Sequence, residues 1–131
     1  MEAAEDARHR KLRIFLVEDN QDTREVVAII LEGDGHQVHA VGSVQAALDE
    51  FSLSANDVLL TDLGLPDGSG LDLMRQLRDR GEAPYAIAMS GFGSAADRAA
   101  SMAAGFRHHL VKPFDFDRLA HLLETIPLNK H

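Results

Sequence analysis

Three carboxylates and one lysine each follow directly after an apolar run of the sequence: Glu18, Asp19, Asp62 and Lys112. If these runs are strands of an open parallel sheet, the four residues lie beyond the carboxyl ends of the strands, where ligands bind. Carboxylates brought so close together repel one another, and this repulsion favours the binding of a hard divalent cation with oxygen ligands. The pattern therefore predicts a site for Mg²⁺ and phosphate.

The segments that must position these residues alternate five times between apolar runs and helical periodicity. The predicted strands are residues 12–17, 37–41, 58–61, 85–90 and 108–111. The first, third and fourth are almost continuously apolar, which is typical of strands that helices cover on both faces. The second alternates between polar and apolar residues, and it is therefore expected at an edge of the sheet.

Each segment between these strands carries an apolar stripe with the period of a helix. In the second helix Val44, Ala47, Leu48 and Phe51 recur at helical spacing after Ser43, which is a suitable N-cap. Five βα units with short connections predict right-handed crossovers and a parallel sheet between two layers of helices. The predicted fold class is α/β, with an open, doubly wound, five-stranded parallel sheet.

Three further expectations concern packing and helix capping. The fourth helix, residues 95–104, is rich in alanine and offers little bulky apolar surface, so it should be the most weakly packed of the helices. Met74, Met89 and Met102 are expected to fill gaps in the core. Asp115 is the expected N-cap of the fifth helix.

Composition excludes several classes of function. The 131 residues suit one domain, predicted at residues 12–126, between a flexible leader at 1–11 and a tail at 127–131. The net charge of -8, without a basic cluster, argues against direct binding of nucleic acid. The absence of cysteine excludes disulfides and thiolate-bound zinc. No apolar stretch is long enough to cross a membrane, so a cytoplasmic location without membrane contact is expected.

Four short motifs carry a resemblance to a known family: VEDN at 17–20, TDLGLPDGSG at 61–70, MSG at 89–91 and VKPF at 111–114. Their order, their spacing and their positions at strand ends make the combination specific. The chain resembles the receiver domain of two-component response regulators from about residue 12 to about residue 126. This resemblance implies a flavodoxin-like (βα)5 fold with strand order 2-1-3-4-5.

By this resemblance Asp62 is the phosphoacceptor, and its donor is a phosphohistidine of a sensor histidine kinase or a phosphotransfer domain. Glu18, Asp19 and Asp62 would hold Mg²⁺, together with the backbone carbonyl of Gly64. Lys112 would contact the phosphoryl group. An aspartate oxygen attacks phosphorus only when the phosphoryl charge is neutralised and held in line, and Mg²⁺ with a lysine can provide this.

The same resemblance gives roles to four more residues. Ser90 would donate a hydrogen bond to the phosphoryl group, and Gly91 leaves space where the backbone approaches its oxygens. Pro113 would follow a cis peptide bond. Three residues before the lysine the family generally has an aromatic ring that turns inward on activation. This chain has His109 there, and an imidazole can also occupy two rotamers.

The predicted function is a signalling switch that accepts a phosphoryl group and changes the face formed by the fourth helix, the fifth strand and the fifth helix. It is not a turnover enzyme, although it assists its own phosphorylation and dephosphorylation. Its partners would be the phosphodonor, an unknown downstream protein and, after phosphorylation, a second copy of the chain. The segments SGFG and AAGFRHHLVKP resemble receivers that are attached to hybrid histidine kinases.

Two alternatives remain open at the level of sequence. One is a Mg²⁺-dependent phosphatase of the haloacid dehalogenase type, which uses an aspartyl nucleophile. Such enzymes typically have a second Asp two residues after the first, and this chain has Gly64 there. The other is an interaction module of the same fold that is never phosphorylated.

Overall fold

Five parallel strands form the central sheet in the computed structural model, which describes residues 11–127. The strand order is β2-β1-β3-β4-β5, so the predicted fold and topology are confirmed. Along the chain the elements are β1 (Arg13–Val17), α1 (Gln21–Gly33), β2 (Gln37–Val41), α2 (Val44–Glu50), β3 (Val58–Asp62), α3 (Gly70–Asp79), β4 (Ala86–Ser90), α4 (Ala95–Ala104), β5 (His108–Val111) and α5 (Phe116–Glu124).

The core lies in two layers, one on each face of the sheet, because successive strand residues point to opposite faces. In β1, Ile14 and Leu16 pack against α1 and α5, while Phe15 and Val17 pack against α2 and α3. All of these side chains are fully buried. The strands are continuously apolar because helices cover both faces of the sheet, as predicted from the sequence.

Polar side chains begin the helices at the expected positions. Ser43 accepts a hydrogen bond from the Ala46 backbone N–H, and Asp115 accepts one from Asp117. Strands β2 and β5 have the predicted bounds, and each of the other three differs from its prediction by one residue at one end, as in β3, which extends to Asp62. A short antiparallel hairpin, not predicted from the sequence, joins Gly64–Leu65 to Gly68–Ser69 between β3 and α3.

Helix α4 has the sparse packing that its alanines predicted, since its one buried residue is Ser101. The expectation that Met102 fills the core is wrong, because this side chain is 52% exposed. Neighbouring helical residues point about 100° apart, so Met102 does not share the inward face of α4 with Ser101. Met74 and Met89 are buried as expected.

Most of the predicted leader and tail, residues 1–10 and 128–131, lies outside the described residues. Within residues 11–127, no helix combines the length and the hydrophobicity that crossing a bilayer would require.

Candidate functional site

The three carboxylates predicted to converge do so at the carboxyl ends of β1 and β3. These strands are neighbours, and Val17 pairs with Thr61, so the next residues, Glu18 and Asp62, lie side by side. One oxygen each from Glu18, Asp19 and Asp62 lies within 4.8 Å of the others. Glu18 and Asp62 are buried, whereas Asp19 is exposed.

Lys112 reaches this cluster from the end of β5. Its Nζ donates hydrogen bonds to Glu18 Oε1 at 2.7 Å and to Asp62 Oδ2 at 2.5 Å. The peptide bond between Lys112 and Pro113 is cis, as the resemblance implied. A single ammonium group therefore bridges two of the three carboxylates.

The electrostatics of the cluster follow from burial and from this bridge. Burial raises the pKa of Glu18, and the hydrogen bonds from Lys112 and from the Asn20 backbone only partly offset it. Burial lowers the pKa of Lys112, but the hydrogen bonds to Asp62 and Glu18 outweigh it, so the pKa is raised overall. Lys112 thus stays charged. Ionisation of the buried Glu18 carboxyl costs free energy, and a second cation beside it would reduce this cost.

The other oxygen of Asp62 is held by the loop that follows β3. Asp62 Oδ1 accepts a hydrogen bond from the Gly64 backbone N–H at 3.0 Å. Gly70 begins α3 directly beside this loop, where a Cβ atom would lie 2.7 Å from the Asp62 carbonyl oxygen. The absence of a side chain at Gly70 therefore allows α3 to pack closely behind the acidic residue. The role of the Gly64 backbone carbonyl as a metal ligand stays a prediction.

Two residues that sequence reasoning missed hold the loops of this site. Asp67 accepts hydrogen bonds from the Val44 and Gln45 backbone N–H groups at 2.8 and 2.9 Å, and these bonds lower its pKa. Arg24 Nη1 donates to the Glu18 backbone carbonyl at 2.9 Å. Nothing in the sequence near Asp67 indicates that the partner of its carboxylate is the start of α2.

Ser90 ends β4 and lines, with Asp62, Gly64, Gly91 and Phe92, a cleft of about 310 Å³. Its hydroxyl is not hydrogen-bonded to Asp62. It donates to the Phe92 carbonyl at 3.0 Å and accepts from the Phe92 N–H at 2.8 Å. Apart from the two neighbours of Gly91 in the chain, no atom of residues 11–127 lies within 4 Å of where its Cβ atom would be, so the cleft is open there. Phe92 itself is 74% exposed.

His109 is buried and points toward α4, not into solvent. Its Nδ1 lies 2.9 Å from Ser101 Oγ, and its Nε2 lies 3.0 Å from the Phe92 carbonyl oxygen. His108 points to the opposite face, where it lies 3.2 Å from the Tyr85 hydroxyl. The two adjacent histidines therefore cannot share a ligand, as expected from the alternation of a strand.

The cluster suits a small, hard divalent cation. It offers three carboxylate oxygens within a few ångströms, no sulfur and no imidazole, which is the ligand set of Mg²⁺ and not of zinc or copper. Asp19 is exposed, so water can complete the coordination shell, as Mg²⁺ usually requires. The residues present therefore fit the metal that the sequence predicted.

Comparison with known proteins gives a consistent family. A family model described as the response regulator receiver domain matches residues 14–124. The KDP operon transcriptional regulatory protein KdpE of Escherichia coli is 35% identical over 118 residues, which cover 90% of this chain and 52% of that protein. The two-component response regulator PhoP of Pseudomonas aeruginosa is also 35% identical, over 88% of this chain and 51% of that protein. The chain spans about half the length of these relatives.

Solved structures agree with this fold. The non-phosphorylated HemR receiver domain of Leptospira biflexa superposes with a TM-score of 0.81 at 27% identity, over 92% of this chain and 98% of that one. The response regulator TrrA of Thermotoga maritima, in complex with Mg²⁺ and BeF, gives a TM-score of 0.76 at 25% identity, over 88% and 99% of the two chains.

Proposed function

Because the chain belongs to the response regulator receiver domain family, we propose that Asp62 accepts a phosphoryl group and that this modification switches the domain between two conformations. The observation that carries the proposal is the position of Asp62. Its carboxylate shares a cluster with Glu18 and Asp19 and is hydrogen-bonded to Lys112 Nζ. Carboxylates placed this close together repel one another, which favours a site that binds a cation over a purely structural role.

In the proposed reaction an oxygen of Asp62 attacks the phosphorus of a phosphohistidine, the new O–P bond forms, and the P–N bond to the donor imidazole breaks. Mg²⁺ held by Glu18, Asp19 and Asp62, with the Gly64 carbonyl as a further ligand, would neutralise phosphoryl charge. The Lys112 ammonium, which now pairs with Asp62 Oδ2, can pair with the phosphoryl oxygens that replace this charge. The Gly64 N–H keeps the aspartyl group oriented throughout.

Ser90 and Gly91 would complete the pocket for the phosphoryl group. The group carries a charge of about -1.5 to -2, and the Ser90 hydroxyl, which lines the same cleft, can turn to it by rotation about χ1. The open space beside Gly91 leaves room for the phosphoryl oxygens. Ser90 and His109 then form the switch that reports the modification to the face of α4, β5 and α5.

The domain, which we place at residues 12–126, acts as a switch and not as a turnover enzyme, and it assists its own phosphorylation and dephosphorylation. We propose a sensor histidine kinase or a phosphotransfer domain as the donor, with a cytoplasmic location. A downstream protein, or a second copy of the chain, would read the phosphorylated state. Attachment to a hybrid histidine kinase is one arrangement that would supply the donor.

Intact-mass measurement after incubation with acetyl phosphate and Mg²⁺ tests the proposal. The protein should gain one phosphoryl group, and EDTA should abolish the gain. Asp62→Asn should gain none, whereas Asp79→Asn, which alters an exposed carboxylate of α3, should behave as wild type. A full adduct in Asp62→Asn would refute the site assignment. Steady hydrolysis of phosphate monoesters would favour the phosphatase, and no adduct under any condition would favour the interaction module.

A further inference from the structure

Helix α4 contacts the rest of the domain through an unusual buried side chain. Of its ten residues, Ser101 alone is buried, and its exposure is 0%. The Ser101 hydroxyl oxygen lies 2.9 Å from His109 Nδ1 on β5 and 2.9 Å from the Arg98 carbonyl oxygen of its own helix, and its single proton can serve one of these two acceptors at a time. The buried anchor of this helix is therefore a hydrogen bond and not an apolar contact.

The other side of the imidazole is held by the loop that leads out of the phosphorylation cleft. His109 Nε2 faces the Phe92 carbonyl at 3.0 Å, and since a carbonyl only accepts, Nε2 must carry a proton. In the neutral imidazole Nδ1 then accepts from the Ser101 hydroxyl. The same Phe92 carbonyl also accepts from the Ser90 hydroxyl. An unbroken chain of hydrogen bonds thus runs from Ser90 through Phe92 and His109 to Ser101.

This chain has one property that makes it responsive. The Ser90 hydroxyl has a single proton, so it cannot donate to the Phe92 carbonyl and to a phosphoryl group at the same time. When it turns to the phosphoryl group, the Phe92 carbonyl keeps only the hydrogen bond from His109. The loop then continues within two residues into Ser94, whose side chain caps α4.

His109 itself does not need to move for the signal to pass. It already lies inside the domain with both ring nitrogens hydrogen-bonded, so it can link the cleft to α4 without an inward swing. Gly93 rests against β5, where a Cβ atom would collide with the Val111 side chain, so this part of the loop is in close contact with the strand. A change in the position of the loop would therefore reach α4 through His109, which shares the Phe92 carbonyl with Ser90.

Building on the proposed function, we propose that Ser101 is a positioning residue that couples α4 to the phosphorylation site through His109 and the Phe92 carbonyl. Phosphorylation would act on α4 by removing the Ser90 hydrogen bond from this chain. The loss of one such bond corresponds to a change of about two- to twelvefold in the opening of the segment it holds. Faster amide exchange in residues 95–104 is the expected signature.

A double-mutant cycle on the unphosphorylated protein tests the coupling without any phosphate chemistry. Amide exchange of residues 95–104 is measured by mass spectrometry in wild type, Ser90→Ala, Ser101→Ala and the double variant. Each single change should accelerate exchange, and the double variant should exchange more slowly than the product of the two factors predicts, because both changes break the same chain. Independent, multiplicative effects would overturn the proposal.

Two variants control for a general loss of packing. His109→Phe keeps a buried ring but removes both hydrogen bonds, and it should accelerate exchange in α4 as Ser101→Ala does. His108→Gln alters the adjacent residue on the opposite face of β5 and should leave α4 exchange within about twofold of wild type. If His108→Gln accelerates exchange in α4 as much as His109→Phe, the specific chain is refuted.

A second experiment measures the same amide exchange after phosphorylation with acetyl phosphate and Mg²⁺. In wild type, labelling should accelerate α4 exchange, whereas Ser101→Ala should be labelled at the wild-type rate and show less than half of this response. A full response in labelled Ser101→Ala would overturn the coupling. Failure of wild type to be labelled would overturn the proposed function instead, and the double-mutant cycle would still decide whether Ser90 and Ser101 are coupled.

Discussion

Replacing Lys112 with methionine should destabilise the domain and change how it responds to acid. Methionine keeps most of the length of the side chain but removes the ammonium that donates to Glu18 and Asp62 at 2.7 and 2.5 Å. Breaking a buried ion pair by removing one partner costs about 3–5 kcal/mol. Since the Lys112 side chain retains 30% of its exposure, water can replace part of the lost interaction, and we expect a loss of about 2–3 kcal/mol.

The pKa of Glu18 predicts the direction in which the loss of stability changes with pH. Burial already raises the pKa of Glu18, and the Lys112 hydrogen bond opposes that rise. Without the lysine the pKa of Glu18 in the folded state rises further above its value in the unfolded chain. A raised pKa contributes stability at low pH that is lost as the pH rises through the folded value. The difference between variant and wild type should therefore shrink as the pH falls from about 7 to about 5.

Urea unfolding, followed by circular dichroism, measures both effects. Lys11→Met, which changes an exposed lysine, serves as the control and should stay within about 0.5 kcal/mol of wild type. Adding about 10 mM Mg²⁺ should stabilise Lys112→Met more than wild type, because a cation bound to the folded state replaces the missing charge. A variant as stable as wild type, with no added response to acid or Mg²⁺, would refute the electrostatic account of this site.

Three further predictions concern packing and protonation. Gly70→Ala should cost about 1–3 kcal/mol in urea unfolding and slow the labelling of the protein, because a Cβ atom there crowds the backbone of Asp62. Gly33→Ala is the control, since a Cβ atom there has no such neighbour within 4 Å. Equal costs for the two variants would contradict the close approach of α3 to the Asp62 backbone. Met89→Ala should cost about 2–5 kcal/mol in the same assay, whereas Met102→Ala should cost less than about 0.5. Burial, together with two nearby arginines, lowers the pKa of His108 in the folded state. The neutral imidazole therefore stabilises the fold at neutral pH, and this stabilisation is lost as the pH falls below about 6.5. His108→Gln should lose less stability on acidification than wild type, and identical pH profiles of the two proteins would contradict this prediction.

Local pattern alone predicted the five strands of the main sheet and the five helices, in their order along the chain. Runs of apolar residues without alternation indicate strands that are covered on both faces, and the strands are observed within one residue of those positions. The convergence of Glu18, Asp19 and Asp62 also followed from sequence, because parallel strands place their carboxyl ends at one edge. Capping residues such as Ser43 act within one turn, so they too could be recognised locally.

Contacts between segments far apart in the chain could not be predicted in this way. Nothing near Asp67 indicates that its carboxylate holds the start of α2, more than twenty residues away in sequence. The orientation of α4 is a similar case, since an alanine-rich helix has no strong apolar stripe to fix which side faces inward. Its one buried hydroxyl, at Ser101, settles that orientation by bonding to His109, and Met102 is left outside.

The sequence by itself thus determined the fold, the acidic cluster and the chemistry that such a cluster supports, because these depend on periodicity and on residue type. Only the tertiary structure decided how the cleft is connected to α4. The path from Ser90 to Ser101 depends on which donor faces which acceptor across a loop and two elements, and hydrogen bonds of this kind are set by ångström-scale positions that no local pattern encodes.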